Sequence, residues 1–439
     1  MRKILLGAIL LICISGKAQV LSVREQSKLV NEILEERLNN VLPLLMERTG
    51  IEMWVIMSRE YNEDPVLKTM LPAEWLNARR RTILVFYNNP QKKQYEKLAV
   101  ARYDAGDKIK ASWDMQRFPN QWDALVDIIK TRSPKNIAVN TSTDFGHADG
   151  LDQTDYFEFM QKLPAAFRNK VVSAESLAVA WLETRTEHEM QLYPQLVDAT
   201  HKIIEEGFSE KVIVPGVTTT DDLVWWFRQK IRNLGYDTWF HPSVSIQRND
   251  QMDNDQGNNF SSRPKSDTVL AGDLLHVDIG ITYLRLNTDV QQHAYILKPG
   301  EKTVPRGLKD AFVKANRLQD ILTSQFKDGK TGNQILSAAL LQARKEGLQP
   351  SIYTHPIGYH GHAAGPAIGM WDQQNAVTGT GDYSLQNNTA YSIELNNTAT
   401  IPEWKKSIKI MLEEDGYFDE NGFRYINERQ KEIYLVPRQ

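Results

Sequence analysis

The segment "LLHVDIGITYLRLNTDVQQHAYIL" spans residues 274–297 and sets two aspartates on apolar runs. One strand-like run delivers Asp278, and a second carries Asp289 eleven residues later. The intervening "GITYLRLN" is long enough for a turn or a short connection. Two such strands can lie side by side and bring both carboxylates to one place. Buried carboxylates repel one another and are costly to desolvate, and a divalent cation relieves both costs. The plainer reading is a hairpin with two surface aspartates, and the pair by itself leaves both readings open.

Further acidic residues lie on similar runs. Glu394 follows Ile393 in "AYSIELNN" (390–397), and Glu413 and Glu414 follow Leu412 in "IMLEEDGYF" (410–418). An unpaired charge in such a run is expensive. The stretch "HPIGYHGH" (355–362) holds three of the nine histidines and reads as a metal site, a catalytic base or a polar loop. Two aspartates, two glutamates and one histidine make an oxygen-rich donor set with a single imidazole. That set suits two hard or borderline divalent ions, manganese or cobalt first, with zinc as a further option. Two-metal sites share a bridging hydroxide as nucleophile and clamp the developing oxyanion.

A chain of 439 residues is too long for one ordinary core and points to two domains. With a net charge of −3 it offers no basic track for nucleic acid. The N-terminus, "MRKILLGAILLICISGKAQV", reads as a signal peptide: Arg2 and Lys3, an apolar run from Ile4 to about Ile14, then Gly16 and Ala18 before a cleavage point after Ala18. The run is too short to span a bilayer stably. The alternatives are an uncleaved anchor and, less well matched, a lipid anchor through Cys13, which Ile12 precedes where a small residue is expected. Cys13 is the only cysteine, so the mature chain is expected to hold no disulfide, no thiolate metal site and no cysteine nucleophile. A periplasmic or secreted location follows, with no membrane association after cleavage.

The remaining pattern is α/β, then α+β. A helical period runs over about 24–49 and stops at Gly50. "IEMWVIM", "RTILVFY" and "NIAVNTS" read as strands, with a helix over about 119–132 between the second and third. A helix beginning near 185 carries Pro194 as a kink or boundary, and Thr219 or Thr220 can cap another, with Asp221 and Asp222 at its positive end. Trp225 and Trp226 in that second helix are expected in a core or interface. Past 270 the expectation is a strand hairpin, helices over about 305–325 and 332–346, and strands to the end. The segments read as a signal peptide (1–18), an α/β domain (19–180) and a second domain (181–439).

The residues above resemble the motif of the "pita-bread" metallopeptidases: methionine aminopeptidases, Xaa-Pro aminopeptidases, prolidases and the related creatinases. The motif is Asp, a second Asp eleven residues on, then His, Glu and Glu. Asp278, Asp289, His355 in "THPIG" and Glu394 in "SIEL" match it, although Leu395-Asn396 replaces the usual Pro-Gly. Counting back nine from Gly422 makes Glu413 the final ligand, with Glu414 the fallback. The resemblance implies an α/β creatinase/prolidase-like N-terminal domain and an α+β pita-bread catalytic domain. It implies that Asp278, Asp289, His355, Glu394 and Glu413 hold two divalent ions, Mn2+ foremost. Glu394 would double as the proton shuttle. His362, seven residues past His355, matches a histidine that contacts substrate and steadies the tetrahedral intermediate. His360, His241 and His276 find no counterpart. The large leading domain tilts the resemblance toward the Xaa-Pro branch.

The supporting residues depart from the pattern. A histidine about seventeen residues before the first Asp is replaced by Ser261, one four before the ligand histidine by Ser351, an arginine two before the last Glu by Met411, and the arginine after the second Asp by Gln292. His241, His360 or Arg263 are candidate substitutes. The expected activity is therefore an exported dinuclear aminopeptidase or dipeptidase acting on Xaa-Pro peptides. Its rivals are a hydrolase of the same fold acting on another amide or C–N bond, and a non-catalytic binding module that keeps its metals structurally. The partner expected is a peptide substrate, with room for a homodimer.

Overall fold

The structure is a computed structural model that describes residues 20–249 and 266–438. Residues 1–18, expected to be a signal peptide and containing Cys13, and Ser261 and Arg263 lie outside those residues. No helix among the described residues is long and apolar enough to cross a membrane.

The N-terminal half is a six-stranded sheet between two helical layers. Its strand order is Lys110–Ala111, Gln94–Ala99, Arg81–Asn89, Met53–Arg59, Ile137–Val139 and Val171–Ser173. Period-two alternation sorts the central strand. Trp54 and Ile56 pack under the helices of 23–49 and 175–183, whereas Met53, Val55 and Met57 pack under those of 121–132 and 153–162. The expected helix over 24–49 is there, but a π-helical turn, Arg37–Val41, interrupts it. Ser22 and Glu25 cap its start reciprocally, and Gly50 ends it in the left-handed conformation (φ 68°). The turn sets Arg37 fully inside, where its guanidinium donates to Thr184 O at 2.7 Å and pairs with Glu189 at 2.9 Å. Arg37 thereby ties the first helix to the start of the second half.

The second half is built on a creased sheet. Strand Thr389–Ser392 runs on into Leu395–Ile401, and Lys406–Leu412 runs on into Asp415–Asp419. The register is the same on both sides of the break: Ser392 pairs with Asp415 and Leu395 with Leu412. That register sets Glu394 across from Glu413 within the crease. Pro350–Ile352 and His355–Ile357 break at the same level, pairing Ile352 with Leu395 and His355 with Ser392. The sheet formed by Ser243–Gln247, Leu274–Ile279, Val290–Ile296 and Tyr434–Val436 docks there through reciprocal Gln291–Glu413 backbone hydrogen bonds of 3.0 and 3.3 Å.

Each flank of the crease has its own helical cover. Helices Glu187–Gly207 and Thr220–Asn233 pack on Val277, Ile279 and Val290, and helices Arg306–Thr323 and Gly332–Lys345 pack on Ile393, Leu395 and Ile410. Pro194 lies inside the first of these helices rather than at a boundary, and Thr219 caps the second. Trp226 packs against the core, whereas Trp225 is 55% exposed and lies outside it. The cause is position: Leu223, Val224 and Phe227 form the inward stripe, and Trp225 falls on the outer face.

Candidate metal centre

Five residues from separate strands converge in the crease. Asp278 lies on Leu274–Ile279, in register with Gln291 on the next strand. Asp289 stands just before that strand. Its backbone N–H is held by both oxygens of buried Asp415, 3.3 Å to each. His355 opens its own strand, and its Nε2 lies 3.7 Å from Asp289 Oδ2, 4.0 Å from Glu394 Oε2 and 3.6 Å from Glu413 Oε1. Three overlapping groups have ligand atoms within 4.8 Å of one another: His355, Glu394 and Glu413; Asp278, Asp289 and Glu413; and Asp289, His355 and His362. Glu413 belongs to two of the groups, so two adjacent cradles share one carboxylate.

The electrostatics of the crease demand a counter-charge. Asp278, Asp289 and Glu394 are pushed well above the usual carboxylate range, first by burial and then by the Glu413 carboxylate. Asp278 Oδ1 and His355 Nε2 are buried with no hydrogen-bond partner. Four carboxylates and an imidazole that together bury two orphaned donor atoms fit divalent cations, which would supply the missing bonds and neutralise the charge.

Glu413 and Glu414 point in opposite directions. Glu413 turns into the crease and accepts from Ser392 Oγ at 2.6 Å. Glu414 turns the other way, toward His201 Nε2 at 2.6 Å, Gln292 Nε2 at 2.8 Å and the Gln430 N–H at 2.9 Å. Burial opposes a charge on His201, but the Glu414 carboxylate outweighs it and raises the histidine.

The histidines separate into distinct environments. His362 is exposed at the crease, its ring 4.7 Å from His355 and 5.1 Å from Trp239. Partial burial of the ring and then neighbouring His355 lower it to about 4, so it is neutral near pH 7. His360 belongs to none of the three ligand groups; its ring lies 4.4 Å from that of His147 in the N-terminal half, tilted by 43°, and burial lowers it to about 3. His241 lies beside Arg228 and Trp225. His276 reaches Gln291 Oε1 at 2.9 Å. Of the replaced positions, Gln292 faces Glu414 and the Met411 carbonyl accepts from His293.

Sequence reasoning missed Gln291, Ser392, Asp415 and Trp239. Gln291 was within reach of it, because residues two apart on a strand share a face, as Asp289 and Gln291 do. Trp239 carried no such signal. Its indole donates to Thr288 O at 2.9 Å and fills the space a Cβ would take at both Gly280 and Gly361, 2.2 Å from each.

The family model described as Metallopeptidase family M24 matches residues 193–420. No curated protein matches the sequence. Among solved structures, the chain is similar to an X-Pro aminopeptidase from Thermotoga maritima MSB8 at TM-score 0.62 and 17% identity, covering 89% of this chain and 99% of that one. It is similar to an Xaa-Pro dipeptidase from Bacillus anthracis at TM-score 0.60 and 14% identity, over 94% and 100% of the two chains. It is also similar to the dipeptidase PepE from Mycobacterium ulcerans at TM-score 0.62 and 17% identity, over 94% and 99%. These likenesses bear out the expected fold, an α/β region followed by an α+β pita-bread domain.

Proposed function

The chain belongs to metallopeptidase family M24, and from that premise we propose that it is an exported dinuclear aminopeptidase that releases the N-terminal residue of Xaa-Pro peptides. The observation that carries the reading is the pair of cradles sharing Glu413, open toward His362. In this proposal Asp278, Asp289, His355, Glu394 and Glu413 hold two ions, Mn2+ first, with Co2+ and Zn2+ as alternatives. Bound ions of this kind lower the pKa of water to provide a nucleophile and polarise the scissile carbonyl. Glu394 would hold and move the proton of the attacking water. Neutral His362 donates an N–H to the carbonyl oxygen as charge develops on it. Trp239 and Gly361 hold the His362 loop at the right distance.

The preference for proline draws support from the X-Pro aminopeptidase and Xaa-Pro dipeptidase of like fold. Export draws support from the signal-like residues 1–18, and cleavage there would give a periplasmic or secreted protein. One set of observations favours a second reading, a hydrolase of the same fold acting on another amide or C–N bond. Ser351, Met411 and Gln292 stand where the resemblance expects histidine and arginines. The two separate in one assay: metal-restored protein offered Xaa-Pro, Xaa-Pro-Yaa and Xaa-Ala peptides. Cleavage confined to the Xaa-Pro members is the expected result, and cleavage of none, with ions bound, transfers support to the second reading.

A further inference from the structure

Two residues that the proposed reaction leaves unused, His276 and Gln291, form an oriented hydrogen-bond chain into the metal cradles. His276 is buried, with its Nε2 turned toward the Gln291 side chain. Ser245 Oγ lies 3.4 Å from His276 Nδ1, and the Gln291 carbonyl oxygen that faces Nε2 can only accept, which assigns an N–H to Nε2. That N–H donates to Gln291 Oε1 at 2.9 Å. The Gln291 amide nitrogen then spends both hydrogens on carboxylates, donating to Glu394 Oε1 at 2.6 Å and to Glu413 Oε2 at 2.7 Å. The reverse amide orientation would set its carbonyl oxygen against two carboxylate oxygens.

The consequence lies in the remaining oxygens. Glu394 Oε2 and Glu413 Oε1, the two that Gln291 does not take, face His355 Nε2 at 4.0 and 3.6 Å, and Glu413 Oε1 also accepts from Ser392 Oγ at 2.6 Å. Gln291 cannot drift from this role, because its backbone is laddered to Glu413 on one side and paired in register with Asp278 on the other. Two buried carboxylates facing each other across the crease would repel, and one bridging amide holds them together before any ion arrives.

We propose that Gln291, oriented by His276, is a positioning residue that decides which oxygen of Glu394 and of Glu413 is presented in the metal cradle and so sets the affinity for the first ion. The proposal rests on the metallopeptidase reading above. Partners behind metal ligands of this kind are worth about 10- to 100-fold in metal affinity.

The test is calorimetric titration of Mn2+ into metal-stripped protein, which reads ion affinity without reference to turnover. Gln291→Met keeps the volume and removes both donors, and is expected to weaken the first ion by about 10- to 100-fold. His276→Phe removes the orienting N–H and is expected to weaken it too, whereas His276→Gln supplies an amide N–H at a similar reach and is expected to bind within a few-fold of wild type. A double Gln291→Met, His276→Phe variant is expected to be no weaker than Gln291→Met alone. Should Gln291→Met fail to fold, the contrast between His276→Phe and His276→Gln decides the matter. Gln291→Met or His276→Phe binding as tightly as wild type overturns this inference alone. Wild-type protein that takes up no ion overturns the metallopeptidase reading and this inference with it.

Discussion

Glu413 and Glu414 are consecutive, fill the break between strands Lys406–Leu412 and Asp415–Asp419, and face opposite ways: Ser392 Oγ donates to Glu413 at 2.6 Å inside the crease, and His201 Nε2 lies 2.6 Å from Glu414 behind it. Glu413→Gln should therefore abolish ion uptake, since both cradles lose their shared carboxylate. Glu414→Gln should keep ion uptake and cost about 1–3 kcal/mol of stability through the broken buried pair. Metal content per chain and urea unfolding of the two variants check this. Equal metal loss in both would contradict the assignment.

His362 contacts His355 and Trp239 but sits in the cradle region from the solvent side. His362→Ala is expected to lower kcat by about 10²- to 10³-fold, the usual cost of removing one oxyanion donor. The five proposed ligands remain, so metal content should not change. Steady-state kinetics on an Xaa-Pro peptide, with metal analysis of the same preparation, read both quantities.

A Cβ at Gly361 would stand 2.2 Å from the Trp239 indole, whose N–H is tied to Thr288 O next to Asp289. Gly361→Ala must shift either the indole or the His362 loop. We expect at least about a tenfold loss of kcat with metals retained, since small misplacements of a positioned group are costly. Trp239→Ala should suppress much of the additional effect of Gly361→Ala, because the clash then disappears. Kinetics on the two single variants and the double variant measure that coupling.

Glu183 gives the stability a pH dependence. Burial pushes its carboxyl up to about 8, against the opposing pull of Arg48 and Arg185. The folded chain keeps this proton from the ordinary 4.5 up to about 8, whereas the unfolded chain has released it. The favourable contribution is complete below the lower value and is lost as pH rises through the upper one. Glu183→Gln should flatten that loss and be more stable than wild type at pH 9 by roughly 2–4 kcal/mol. Unfolding curves at pH 5 and pH 9 measure the difference.

Much of this site was legible because its residues sit on strands, where period two and fixed spacing survive in the sequence. Asp278, Asp289 and Glu394 each stand on or beside an apolar run, and a charge there needs a partner. The helices over 306–323 and 332–345 were legible for the same reason, a clean apolar period. Glu413 against Glu414 was harder, because either can end the run. What separates them in the structure is direction, into the crease or away from it, which no local propensity marks. Trp239 and His147 were invisible, since they reach the crease region through tertiary packing from loops distant in sequence. The π turn at Arg37 also depends on a partner, Glu189, that lies 152 residues away.

The most direct test of the central claim is a titration of metal-stripped protein with Mn2+, following release of the N-terminal residue from an Xaa-Pro peptide alongside the same titration of Asp278→Asn. No release is expected from the stripped protein. Activity should rise with added ion in the wild type, and Asp278→Asn should be nearly silent over the same range. Equal release from stripped and metal-loaded wild type, or from wild type and Asp278→Asn, would show that the creased carboxylates do not hold the catalytic metal.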